Sequence, residues 1–341
     1  MTIKIHNWQD ISENFSDSVL LGNGASISIS KSFTYDSLKN YAATNGLFDV
    51  DINSLFDFFN TSDFELILRL VWHAAKVNEA LGITENATTA AYEHVRESLI
   101  NTVQRIHPEH TEVKDQFLAI TEFLSSFKTV LSLNYDLTLY WVMMYAKDID
   151  NNHMFKDCMV DSGKLRSDWQ GLRKSVNRRF QNTSLVFYPH GSLVLARNVT
   201  EQEIKLASHE NDDLLKSILR YWRSSEYIPL FVSEGTSEQK VASIKNSHYL
   251  SVVYREVIPS IGDDLTIFGW RFGEEDTHIL KKLKDSSVKR IAVSVYKNDQ
   301  QYCNRVAQMI HNHIRNSIEV VFFDSESAGY WNKQTSSHID T

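Results

Sequence analysis

Apolar positions follow two rhythms along the chain. The first is a set of short, unbroken apolar runs closed by polar or glycine residues: SVLLG (18–22), TVLSLNYD (129–136), LVFYPHG (185–191), PLFVSEG (229–235), LTIFGW (265–270), RIAVSVY (290–296) and IEVVFFD (318–324). Runs of this length, rich in β-branched and aromatic residues, predict strands buried on both faces. The second rhythm is a spacing of three and four. In DFELILRLVWHAAKVNEALG, the residues Leu66, Ile67, Leu70, Val71, Ala74, Val77 and Leu81 recur at helical period, and ATTAAYEHVRESLINTVQRI and EVKDQFLAITEFLSSF continue it. Strand runs that alternate with helical segments predict a parallel sheet with helices on its faces. The cleanest unit is RIAVSVY, then DQQYCNRVAQMIHNHIRN, then IEVVFFD, a strand–helix–strand of ordinary crossover length. The expected fold class is therefore α/β, a Rossmann-like parallel sheet.

Two stretches break the alternation. Residues 50–127 read as all-helical, an insertion between the first and second strands. Residues 148–182 read as a charged insertion, in which Lys164, Arg166, Arg173, Lys174, Arg178 and Arg179 face a lone Asp168. There is no internal repeat, and four prolines mark no linker, so the expectation is a single elaborated domain over residues 1–341.

Composition narrows this picture. The chain is 42% hydrophobic and 11% aromatic, enough for a sizeable core, and only 23% charged, which argues against disorder. A net charge of -8 and a pI near 5.9 argue against a general binder of nucleic acid or anionic membranes, though not against a local basic patch. Cys158 and Cys303 are too few for a disulfide framework or a four-cysteine zinc knot, and are read as two reduced thiols. The N-terminal MTIKIHNWQD lacks the apolar core of a signal peptide, and no stretch approaches a membrane span. The expectation is a soluble cytoplasmic protein.

In an open parallel sheet, ligands bind beyond the carboxyl ends of the strands. Five predicted strands end in polar or glycine residues: Gly22-Asn23-Gly24-Ala25-Ser26, Asn134-Tyr135-Asp136, His190-Gly191-Ser192, Ser233-Glu234-Gly235-Thr236-Ser237, and Gly269-Trp270-Arg271-Phe272-Gly273-Glu274-Glu275-Asp276. Each has a bland reading as a turn, a helix cap or a satisfied core histidine. Their convergence on one edge points to a single site. Gly22 and Gly24 would let a backbone approach closely, and N–H groups at a following helix start would attract an anion. Metal ligation finds no support. His311 and His313 are two apart in a predicted helix and point to different faces, while His107 and His110 are interrupted by Pro108 and lack a third ligand.

Taken in order, LLGNGAS, LSLNYD, YPHGS, FVSEGTS and FGWRFGEED resemble the sirtuin-like superfamily, which carries G-A-G-x-S, T-x-N-Y-D, H-G and a late G-[YF]-S-x-x-D. They resemble most a bacterial branch that begins L-L-G-N-G. Asn23 departs from the usual alanine and Arg271 from the usual serine, and two cysteines cannot make the four-cysteine zinc of deacylating sirtuins. The resemblance therefore implies a sirtuin-like NAD-binding fold and an NAD-cleaving antiphage effector rather than a protein deacylase. NAD would be the substrate, hydrolysed between nicotinamide and ribose, with no metal.

On that resemblance Asn134 positions water or the ribose hydroxyls, His190 is the general base, and Asp136 orients Asn134 or stabilises charge. The loop Gly22, Asn23, Gly24, Ala25 and Ser26 holds the pyrophosphate. Ser233, Glu234, Gly235, Thr236 and Gly269 line the adenosine half, with Glu234 or Glu274 on ribose hydroxyls. Arg271 lies either against a phosphate or on the surface. Three rivals stand beside this reading: an ADP-ribose transferase or deacylase on the same fold, a non-catalytic nucleotide-binding module, and nucleic-acid recognition through residues 164–179 beside Trp169. An enzyme that destroys NAD needs restraint, so a homo-oligomer or a separate sensor or activator protein is expected as partner, with residues 50–127 as the natural contact surface.

Overall fold

The computed structural model describes residues 2–34, 37–48, 50–149, 153–160, 163–174, 182–208, 213–232 and 234–328. In chain order the strands are β1 (Ile5–His6), β2 (Ser18–Leu21), β3 (Thr129–Ser132), β4 (His153–Lys156), β5 (Met159–Val160), β6 (Lys164–Leu165), β7 (Asn182–Phe187), β8 (Gly191–Asn198), β9 (Glu203–Lys205), β10 (Tyr227–Phe231), β11 (Asp264–Phe268), β12 (Arg290–Val295) and β13 (Glu319–Asp324). Eight of them form one sheet in the order β1-β13-β12-β11-β2-β3-β7-β4, and every pairing in it is parallel. Val19, Leu20, Leu21, Val130, Leu131, Val186, Phe187, Leu265, Ile267, Ile291 and Val293 are all buried. The apolar runs are continuous because both faces of these strands are covered, and the fold is a Rossmann-like α/β sheet.

The strand order fixes where a ligand can sit. From β2 the chain moves outward on one flank through β3 to β7, with β4 at the edge. It then returns to the other flank of β2 as β11 and continues through β12 to β13. The direction of winding reverses between β2 and β11. The connections on either side diverge there and leave a crevice beyond the carboxyl ends of the strands.

One predicted strand belongs elsewhere. Residues 229–235 do not extend the parallel sheet: β10 pairs antiparallel with β8, which pairs antiparallel with β9, in a separate three-stranded sheet. The reason lies in the preceding connection. β7 and β8 are separated by Tyr188–His190, far short of the roughly dozen residues that a parallel crossover needs. Gly191 takes a φ of +77° to make the turn. An apolar run looks the same in either setting, because it records burial and not direction.

The helical reading of residues 50–127 is correct: α-helices cover Val50–Phe58, Phe64–Ala80, Ala87–Ile106, His110–Val113 and Phe117–Leu124. Asp63 starts the second of these, its Oδ1 accepting from the Glu65 and Leu66 N–H groups. The region at 148–182 is more structured than a polar insertion. His153–Lys156 forms an edge strand of the main sheet, β5 and β6 pair antiparallel, and Trp169 is buried. Arg173 donates to the Lys128 carbonyl and the Thr129 hydroxyl, so it ties this segment to β3. Lys164, Arg166 and Lys174 are exposed, while Arg178 and Arg179 lie outside the described residues. Both cysteines are buried free thiols. Among the described residues no helix is long and apolar enough to cross a membrane.

Candidate functional site

A cleft of about 1460 Å³ runs along the carboxyl edge of the sheet at the point where the winding reverses. It is lined by the ends of β2, β3, β11 and β12, by the β7–β8 turn and by the segment after β10. The strand ends singled out in the sequence therefore do converge, although β10 reaches the cleft from the second sheet.

The first loop has a tighter explanation than a phosphate. A Cβ on Gly22 would lie 2.5 Å from the Cα of Trp270, and one on Gly24 would lie 2.7 Å from the carbonyl oxygen of Gly269. The two glycines allow the turn after β2 to press against the turn after β11. Gly269 answers with a φ of +71°, and a Cβ there would meet the Ala25 nitrogen at 2.4 Å. The amides are committed as well: Gly22 N–H donates to Phe268, Gly24 N–H to Gly269, and Ala25 N–H to Gly22. The expectation that the Gly22, Gly24 and Ala25 amides hold a pyrophosphate is thus corrected, since protein carbonyls already occupy them. Gly22, Asn23 and Gly24 still line the cleft.

Ser26 is likewise turned inward. Its hydroxyl donates to Asp136 Oδ2 at 2.5 Å and accepts from Asn134 Nδ2 at 2.8 Å. It is buried and does not line the cleft, so it braces the site instead of meeting a phosphate. Asn134 Nδ2 donates a second time, to the Gly22 carbonyl at 2.9 Å. Both amide hydrogens are thus spent, and Asn134, which lines the cleft, keeps its side-chain carbonyl oxygen as the group left to meet a ligand. Asp136 accepts from the Thr138 N–H through its other oxygen. It therefore orients Asn134 by way of Ser26, with both carboxylate oxygens occupied.

His190 sits at the β7–β8 turn, buried at the cleft wall. It is not alone, as the sequence suggested. Its Nε2 lies 3.0 Å from His278 Nε2 and 3.9 Å from Asp276 Oδ1. Lys240 donates to that same oxygen at 2.8 Å, and Trp270 Nε1 donates to Asp276 Oδ2 at 3.4 Å. Burial, helped by Lys240 and His278, pushes His190 well below the ordinary histidine range. Burial also lowers His278 to about 4. Burial alone would raise Asp276, but the interactions with its neighbours, among them the hydrogen-bonded Lys240 ammonium, hold it at about 2. Both rings are neutral at pH 7, and Asp276 and Lys240 form a buried ion pair.

His278 and Lys240 escaped the sequence reading, and Asp276 entered it only as the last residue of a strand-end segment, with no role assigned. The run GEEDTHIL signals Asp276 and His278 only as a carboxylate and an imidazole two residues apart. His190, Asp276 and His278 bring one ligand atom each within 4.8 Å of one another, a spacing that could hold a metal ion. Lys240 already supplies the cation there. An ammonium hydrogen-bonded to Asp276 Oδ1 would repel a divalent ion placed on the same oxygen.

The remaining predicted residues separate. Glu234 lines the cleft and is buried, its Oε1 accepting from the Lys39 N–H while Oε2 has no partner. Burial raises it to about 7. Gly235 also lines the cleft, with a φ of +104°. Thr236 is consumed as a helix cap: it exchanges hydrogen bonds with Gln239 at the start of Ser237–Lys245. Glu274 lies outside the cleft wall, and Glu275 and Asp276 lie on it, so of the two carboxylates considered for a ribose only Glu234 faces the cleft. Arg271 is exposed at the rim, 3.5 Å from Glu275. Ser233 lies outside the described residues. Beyond β12 the cleft continues past Ser294, Tyr296 and Asp299, a wall that the sequence reading did not anticipate.

The fold thus places an open cleft at the switch point of a Rossmann-like α/β sheet. Residues 19–331 match the family described as a domain of unknown function (DUF4917), and the chain belongs to that family. No curated protein matches the chain.

Proposed function

We propose that this chain is a NAD glycohydrolase, releasing nicotinamide and ADP-ribose. The observation that carries the reading is the pairing of two different groups on one cleft at the switch point. Asn134 presents a braced carbonyl oxygen, and His190 presents a neutral imidazole. The resemblance of LLGNGAS, LSLNYD and YPHGS to sirtuin-like proteins supplies the substrate class.

Nicotinamide leaves readily because its ring nitrogen is cationic before cleavage. The transition state then places positive charge on the ribose, as in other glycosidic cleavages. The Asn134 carbonyl would accept a hydrogen bond from the attacking water or a ribose hydroxyl. His190 would take the proton, and a neutral ring is the form able to do so. Glu234, with one unpartnered buried oxygen, suits the hydroxyls of the second ribose. Tyr296, 58% exposed beyond β12, offers a face for a base. The antiphage role, and control by self-association or a separate activator, rest on the resemblance and on the need to restrain an enzyme that destroys NAD.

The test is chromatography of NAD incubated with the protein beside Asn134→Ala and His190→Ala. Nicotinamide and ADP-ribose from the wild type, reduced at least about 100-fold in each variant, is the expected result. ADP-ribose attached to protein would identify a transferase. Binding of intact NAD without cleavage would leave a nucleotide-binding module. Neither binding nor cleavage would end the reading.

A further inference from the structure

The loop beyond β3 carries Asn134 and Asp136, and its backbone is held at several points. Asn134 N–H donates to the Ser132 hydroxyl at 3.1 Å. The Tyr135 carbonyl accepts from the Leu193 N–H of β8 at 2.8 Å. The loop then enters the helix Thr138–Asp148, whose first N–H groups need partners outside the helix. Thr138 N–H donates to Asp136 Oδ1 at 2.8 Å. Leu137 N–H donates instead to Nε2 of His107 at 3.0 Å, a residue 30 positions earlier in the chain. His107 directly follows the helix Ala87–Ile106 of the helical region. Both Leu137 and His107 are buried, which keeps this contact away from water. An amide N–H can only donate, so Nε2 of His107 is bare. On the other side of the ring, Nδ1 lies 2.9 Å from the Pro108 carbonyl, which can only accept. Nδ1 therefore carries the hydrogen, and the two contacts demand the same tautomer. The ring stands edge-on to Phe33 at 5.5 Å and to Trp141 at 5.1 Å, which fixes its plane. Burial pushes it below the ordinary histidine range, so the neutral form persists.

We infer that His107 is a positioning residue for the site: its Nε2 holds the start of the helix Thr138–Asp148, and with it the loop that presents Asn134 and Asp136. His107 does not itself line the cleft, whereas Asn134, Tyr135 and Asp136 do, so it acts through the loop. The helical region after β2 thereby reaches the site by one side chain. Its grip complements that of Ser26, which ties Asn134 to Asp136 from the other side. Ser26 anchors the side chains of the loop, and His107 anchors its backbone. Phe33, which packs on the His107 ring, lines the cleft, so the clamp extends to the wall a ligand would touch. The effect on rate rests on the proposed role of Asn134 in NAD cleavage; the anchoring of the loop does not.

The experiment has two arms. Long-range nitrogen–proton NMR of the full chain labelled with 15N-histidine reads the His107 ring, with assignment from a His107 variant. The expected spectrum at pH 7 shows a protonated Nδ1 and a bare Nε2. A protonated Nε2, whether in the opposite tautomer or in a doubly protonated ring, would overturn the inference. The second arm compares two amides that differ by one methylene. His107→Gln reaches the Nε2 position and keeps an acceptor for Leu137. His107→Asn ends at the Nδ1 position and keeps only the contact with Pro108. Both lose the ring, so its packing is lost alike. The Leu137 N–H should exchange with solvent about tenfold faster or more in the asparagine variant than in the glutamine variant. Glutamine should stay within several-fold of the wild-type kcat for NAD, and asparagine should lower kcat by about tenfold or more, with a smaller change in KM. Equal kcat in the two variants, with the Leu137 amide freed only in asparagine, would show that the contact braces the fold but not the site, and would refute the positioning role. If no chain cleaves NAD, the proposed activity fails, while amide exchange from Asn134 to Thr138 still decides whether His107 holds the loop. If a variant does not fold, the wild-type spectrum decides the contact.

Discussion

At the residue scale, the glycines after β2 carry the clearest lesson. Gly22 and Gly24 stand close together because the Gly269–Trp270 backbone lies against them. Gly22→Ala should therefore destabilise the unliganded protein, by about 1–3 kcal/mol from overpacking. Urea unfolding without nucleotide measures this. Unchanged stability with lost nucleotide binding would instead show that the glycine serves only the ligand. Ser26→Ala removes the link between Asn134 and Asp136, and it leaves a buried carboxylate oxygen without its donor. It should cost about 1–3 kcal/mol of stability. It should also lower kcat for NAD, because Asn134 loses one of its two anchors. Full activity in a destabilised Ser26→Ala protein would show that Asn134 holds its position without this brace.

At the scale of elements, helix starts do much of the work near the cleft. Glu234 reaches from the segment after β10 to the start of the helix Leu38–Thr44, where it accepts from the Lys39 N–H. Burial lifts this carboxyl from 4.5 to about 7. A raised carboxyl favours folding fully below its unfolded value, and that contribution disappears as the pH rises through the folded value. Glu234→Gln mimics the neutral form. It should match the wild type near pH 4 and exceed it by on the order of 2 kcal/mol near pH 8.5. Denaturant midpoints at the two pH values check the sign; a variant less stable at pH 8.5 would contradict it. The buried histidines act oppositely. His153 and His278, both lowered to about 4, stabilise the fold above their unfolded value near 6.5, and the gain is lost as the pH falls toward 4.

At the scale of the whole molecule, Arg197 joins parts that the chain order separates. It is buried in β8 and meets Glu65 at 3.9 Å, Glu201 at 2.8 Å and Glu203 at 3.7 Å. Glu65 belongs to the helical region, and Glu203 caps the helix His248–Val252 through the His248 and Tyr249 N–H groups. One guanidinium thus binds the second sheet to helices on two sides. Arg197→Leu takes the shared cation from the buried Glu65 and from Glu203, leaving Glu65 only Arg69 at 3.7 Å, and should cost about 3–5 kcal/mol. Thermal unfolding followed by circular dichroism measures it, and a loss below about 1 kcal/mol would show that the carboxylates neutralise themselves instead.

The sequence by itself determined six of the eight strands of the parallel sheet, all but its edge strands β1 and β4, together with the helical region after β2 and the strand ends that line the cleft. These rest on local signals: burial writes an apolar run, helical period writes a face, and a strand that stops at a ligand edge ends in small or polar residues. The tertiary structure alone decided the rest. It placed β10 in an antiparallel sheet, because direction depends on the length of a connection and leaves no mark on the run itself. It turned Ser26 and Thr236 inward, gave the cleft Glu234 rather than Glu274, and set His278, Asp276 and Lys240 behind His190. Each of these is a meeting between residues far apart in the chain. A hydroxyl or an imidazole has the same letter whether it faces a ligand or another side chain, and only packing chooses between them.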